Sequence, residues 1–120
     1  AFDFRYMRSD RGFLCFPEVD LRIPFLPYMD GLIRRLLPMH LVMDAELTGH
    51  RFTATELEQH GAIRKACASA DETVENALAW AKTLNKNRGI VKTMKNVMNA
   101  EIDRLFDTVV PIEVDGVPII

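Results

Sequence analysis

The sequence predicts an α+β fold that is mostly helical, with a short β region at the N-terminus followed by four or five helices. Three observations lead there. Phe2, Phe4 and Tyr6 alternate with Asp3 and Arg5, the period-two pattern of a half-buried strand. From Met29 to Phe106 the apolar residues recur instead at helical spacing, in stretches punctuated by proline and glycine. There is no internal repeat or low-complexity segment, and 120 residues suffice for one domain with a modest core.

Taken in order, residues 2–7 are expected as a strand, Ser9-Asp10-Arg11-Gly12 as a turn, and residues 12–16 as a second short strand ended by Pro17. Pro24 and Pro27 keep the next segment extended or turned until a helix begins, with Pro27 in its first turn. That helix places Met29, Leu32, Ile33, Leu36 and Leu37 on one side and Arg34 and Arg35 on the other. Pro38 opens a second helix with Leu41, Val42, Ala45 and Leu47 inward, and Gly49 caps it. Thr53 to Glu56 fits a capping box for a short helix that Gly61 ends. Residues 62–67 read as a weak strand or connector.

A second capping-box start, Ser69 to Glu72, precedes the stripe Val74, Ala77, Leu78, Ala81 and Leu84. Gly89 is expected to break it before a last helix of about four turns or more, marked by Ile90, Val91, Met94, Val97, Met98, Ile102, Leu105 and Phe106. Asp115-Gly116 marks a turn in an apolar tail that either packs on something or derives from a shifted or hybrid C-terminus. The chain thus divides into residues 1–24, 25–67, 68–107 and 108–120 of a single domain. Two short strands cannot bury both faces or satisfy both edges. The expectation is therefore a partner chain or further strands before residue 1, in keeping with a chain that starts on Ala1 rather than Met.

Composition excludes several functions. Fifteen basic and seventeen acidic residues, a formal net charge of −2, give no electrostatic case for nucleic acid or an anionic membrane. No apolar run approaches the ~20 residues of a membrane span, and the charged N-terminus is no signal peptide. Cys15 and Cys67 lack metal or CxxC spacing and read as buried reduced thiols, which makes the cytoplasm the expected compartment. His40, His50 and His60 have no metal-ligand arrangement.

Two patterns carry chemistry. Leu47-Thr48-Gly49-His50-Arg51-Phe52-Thr53-Ala54-Thr55-Glu56-Leu57-Glu58-Gln59-His60-Gly61-Ala62-Ile63 resembles the L-T-G-R-x-x-x-A-x-E-A-x-x-x-G-x-V signature of the crotonase superfamily. Gly12-Phe13-Leu14-Cys15-Phe16-Pro17-Glu18-Val19-Asp20-Leu21-Arg22-Ile23-Pro24 is similar to its F-x-x-P-E-x-x-L-G-I-x-P stretch, which carries the active-site glutamate. The resemblance covers residues 3–106 and implies the C-terminal half of a crotonase-like fold.

It also implies an activity. Such proteins bind acyl-CoA thioesters, stabilise an enolate with two backbone N–H groups, and move protons with glutamates. The thioester is the substrate, and neither a further cofactor nor a metal is implied. Glu18 matches the catalytic glutamate. The loops that supply the oxyanion donors have no counterpart in these residues. Phe25-Leu26-Pro27-Tyr28-Met29 stands where hydratases carry a glycine-rich turn and looks more like the Δ3,Δ2-enoyl-CoA isomerases. One base suffices for isomerisation, whereas hydration needs two carboxylates.

Further roles follow by position. Phe25, Tyr28 and Met29 are candidates for an acyl-chain pocket, or else for the core. Lys95, with Lys92, matches a lysine near the CoA adenine and 3′-phosphate, or else is solvated charge. Asp20, two residues from Glu18, shares its face if the segment is extended, or else is a solvated or salt-bridged side chain. Arg22 replaces the family's usual glycine and is expected to pair with Glu18 or Asp20, which would weaken a base. The resemblance implies trimers or dimers of trimers through the C-terminal helices, with a dimer open to a fragment. A non-catalytic module that acts by self-association or protein binding is the alternative to the enzyme.

Overall fold

The computed structural model describes residues 2–108 and 111–119. Of the tail, positions 109, 110 and 120 lie outside the described residues, as does Ala1 at the other end.

The β region is a parallel pair rather than two successive strands. β1 (Tyr6–Arg8) lies against β2 (Lys65–Cys67), with Tyr6 opposite Lys65 and Arg8 opposite Cys67. A parallel pair needs a long crossover, and the residues between 8 and 65 supply it. Residues 62–67, read as a weak strand or connector, are thus the partner of the first strand. Residues 12–16 form a single antiparallel bridge, Leu14 to Phe52, with N···O distances of 2.9 and 2.8 Å. The next hydrogen-bonded pair of such a ladder would join Phe16 to His50, but the His50 N–H donates to Asp44 O at 3.3 Å instead, and the expected second strand does not form.

The crossover holds four helices: α1 (Glu18–Leu21), α2 (Pro27–Leu36), α3 (Met39–Thr48) and α4 (Ala54–Gln59). Pro27 opens α2 at its first position, as expected. Gly49 caps α3 at φ 64°, a left-handed conformation that L side chains rarely adopt. The α4 capping box is complete: Glu56 N donates to Thr53 Oγ1 at 3.2 Å, and Thr53 N to Glu56 Oε2 at 2.8 Å. The core lies where these helices meet, formed by Ile33, Leu37, Leu41, Val42, Ala45, Phe52, Ala54, Leu57, Ala62 and Ile63.

One inward position differs from expectation. Leu47 is 60% exposed, while Glu46 is half-buried. At 100° per residue, position 47 lies roughly 200° around α3 from Ala45, whereas position 46 is roughly 40° from Val42. The carboxylate, not the leucine, therefore shares the buried side.

α5 (Ala70–Thr83) packs on both strands. Trp80 meets Phe4 edge-on at 4.4 Å and lies under the Arg64 guanidinium at 3.8 Å. Its start is half a capping box. Glu72 N donates to Ser69 Oγ at 3.1 Å, but the Glu72 carboxylate accepts instead from Ala68 N, also at 3.1 Å.

α6 (Arg88–Phe106) begins before Gly89, so that glycine sits in its first turn and the break falls at residues 84–87. Asn87 caps it. α6 packs on α2, where Tyr28 stacks on Phe106 at 4.3 Å and Gly31 lets Leu105 approach. No residue of α5 or α6 is fully buried.

In the tail, β3 (Glu113–Val114) and β4 (Val117–Pro118) form a hairpin. Asp115 and Gly116 both have positive φ, 53° and 77°, as a two-residue turn of the primed kind requires. The expected turn is there. Among the described residues no helix is long and apolar enough to cross a membrane.

Candidate active site

Glu18 is the first residue of α1, not the end of a strand. Pro17 O accepts from the backbone N–H of both Asp20 and Leu21 at 3.0 Å, which winds residues 18–21 into one turn. This corrects the expectation for Asp20, because residues two apart on a helix point away from each other. Asp20 turns toward α3 instead. Its Oδ2 lies 2.9 Å from the position a Cβ on Gly49 would occupy. The glutamate motif and the threonine–glycine motif are thus packed against one another, and Gly49 leaves the space for that approach.

Arg22 ends α1 in the left-handed conformation, φ 57° and ψ 38°. This is the position where the resemblance called for glycine, and the backbone shows why. The expected ion pair does not form, since no salt bridge links Arg22 to Glu18 or Asp20 among the described residues.

Glu18 borders two cavities. The larger, about 810 Å³, is walled largely by aromatic and aliphatic side chains, including Phe16, Phe25, Met29, Leu32, Ile102 and Phe106. The smaller, about 460 Å³, lies between α1, Phe25, Glu46 and the hairpin residues Val114 and Asp115. Glu18 Oε2 is buried and has no hydrogen-bond partner. Native structures leave few such oxygens, and Glu18 itself lines both cavities.

The other expected residues fall around this space. Phe25 lines both cavities beside Glu18, and Met29 lines the larger one. Tyr28 lines neither; it backs the wall by stacking on Phe106. Lys95 also lines the larger cavity, with its ammonium paired to Asp3 at 2.7 Å. Lys92, in contrast, does not line either cavity.

The enoyl-CoA hydratase/isomerase family model matches residues 3–115. The chain belongs to that family. No curated protein and no solved structure matches it. The mostly helical α+β architecture fits the crotonase-like fold of the family.

One residue in this enoyl-CoA hydratase/isomerase family pocket was not singled out from sequence. Glu46, on α3, lines the smaller cavity with Glu18, and its Oε1 is likewise buried and unpartnered. Burial pushes its carboxyl up to about 7, and the neighbouring Asp30 carboxylate adds to this, with Arg34 countering in part. Arg34 is held by Asp30 itself, at 2.7 Å. The available signal was helical period, which places position 46 beside Val42. Among the described residues, no group of three or more His, Cys, Asp or Glu side chains could hold a metal ion.

Proposed function

We propose that this protein acts on enoyl-CoA thioesters as a double-bond isomerase, with Glu18 as the base that removes a proton from the α-carbon and allows one to be returned at the γ-carbon. The observation that carries this reading is Glu18 itself, which lines both cavities and has a buried Oε2 with no hydrogen-bond partner. A carboxylate oxygen without a partner is free to take a proton, and the apolar wall of the larger cavity, with Phe25 and Met29, suits an acyl chain. Lys95 is the cation within that cavity proposed to meet a CoA phosphate, which would compete with Asp3 for it.

On this reading the chain supplies the glutamate-bearing, C-terminal portion of the family's site. Backbone donors for the enolate oxygen come from residues beyond these 120 or from another subunit.

The test is isomerisation of a 3-enoyl-CoA by the purified protein. Glu18→Gln is expected to lower kcat by about 100-fold or more while leaving the fold intact by circular dichroism. Turnover unchanged by that substitution overturns the role of Glu18, and no turnover by a protein that includes the backbone donors overturns the enzyme reading.

A second reading has its own support. Met94 and Val97, at the centre of the α6 stripe, are 61% and 74% exposed. An amphipathic face left open in this way favours a module that associates with copies of itself or with another protein.

A further inference from the structure

The smaller cavity presents two carboxylates from different helices. Glu18 comes from α1 and Glu46 from α3, and the two helices are packed together where Asp20 approaches Gly49. Each has one oxygen that is buried and without a hydrogen-bond partner, Oε2 of Glu18 and Oε1 of Glu46. Both residues line an open cleft of about 460 Å³, together with Ile23, Phe25 and the hairpin residues Val114 and Asp115. Surface carboxylates are ordinarily solvated or ion-paired; here the guanidinium that acts on Glu46, that of Arg34, is engaged by Asp30 through both carboxylate oxygens at 2.7 and 2.8 Å.

We propose that Glu46 is a second catalytic residue of this pocket, the acid that delivers a proton to the γ-carbon while Glu18 takes one from the α-carbon. The inference rests on the isomerase reading and deepens it. In the first step the α C–H bond breaks, and its proton forms an O–H bond on Glu18. In the second, the dienolate collapses, the double bond moves from the β,γ to the α,β position, and the Glu46 O–H bond breaks as the γ C–H bond forms. Glu18 then passes its proton through water to the Glu46 carboxylate, which restores both groups and leaves no net change in protons.

A donor has to be protonated at working pH. Burial and Asp30 keep Glu46 in that range, with its carboxyl at about 7. The charged groups around it are Asp30 and Arg34 from α2, Glu18, Asp20 and Arg22 from α1 and its end, and Asp115 from the hairpin.

The test follows a 3-enoyl-CoA deuterated at its α-carbon. With two separate carriers, wild-type product is expected to hold solvent hydrogen at the γ-carbon, the deuteron taken from the α-carbon having gone to solvent. Activity should fall as pH rises through about 7, where Glu46 gives up its proton. Glu46→Gln should lower kcat about tenfold or more with little change in KM, and remove that descending limb. Its residual product should carry the label from α to γ. Glu46→Asp should retain the limb. A Glu18→Gln protein that is inactive beside a Glu46→Gln protein with wild-type kcat, pH profile and label loss overturns this inference and leaves the isomerase reading standing. Complete α-to-γ label transfer by the wild-type protein overturns it without any variant. A Glu18→Gln protein of full activity overturns both.

Discussion

At Glu46 the proton is part of the folded structure. Its carboxyl has an ordinary value of 4.5 and stands at about 7 in the fold. Between those values the folded chain holds a proton that the unfolded chain has released, so stability falls as pH rises and levels off above about 7. The carboxylates held below their ordinary range, Asp10 beside Arg8 and Glu56 beneath the Thr53 amide, act the other way and at lower pH, losing stability as acid protonates them. Wild-type protein is therefore expected to show a melting temperature that declines from pH 5 to 7.5, and Glu46→Gln to flatten that decline. An equal slope in the variant would place the titration elsewhere. Glu18 was legible in the sequence because a local motif carries it. Glu46 was not, because no local motif marks it as an acid; its environment is made by burial in the fold and by Asp30, sixteen positions earlier.

Single elements show how local rules were kept or overridden. Capping at Thr53 and Ser69, proline at the start of α2 and glycine at the end of α3 follow from nearest neighbours, and the structure has them all. Of the two expectations for residues 18–21, extended or turned, the one-turn helix α1 takes the second because Pro17 O accepts from two successive amides. Its end is strained, since Arg22 occupies a left-handed conformation that costs an L residue roughly 1–2 kcal/mol. Arg22→Gly is expected to stabilise the protein by about 1 kcal/mol, part of the relief being offset by the greater freedom of glycine in the unfolded chain. Equilibrium denaturation measures it; a lower midpoint would mean that the arginine side chain makes a stabilising contact that outweighs its backbone.

Across the whole molecule, burial is uneven. The core is confined to residues 33–67, the crossover helices with their connections and β2, while α5 and α6 contribute no fully buried residue. α6 touches the rest chiefly along α2, so its stripe was correctly read as amphipathic and yet is largely uncovered within one chain. If copies cover it, the protein sediments as an oligomer, and Met94→Glu combined with Val97→Glu reduces it to a single copy. Sedimentation of wild-type protein as a monomer at micromolar concentration would count against that association.

By itself the sequence determined the fold class, the start and end of most helices, and the family membership carried by two motifs, because each depends on residues within a turn or two of one another. Only the tertiary structure decided which strand pairs with β1, that Asp20 turns away from Glu18 to meet Gly49, and that Glu46 and Glu18 face one cavity. Those outcomes depend on contacts between segments distant in the chain, where burial and neighbouring charge, not local pattern, set the chemistry.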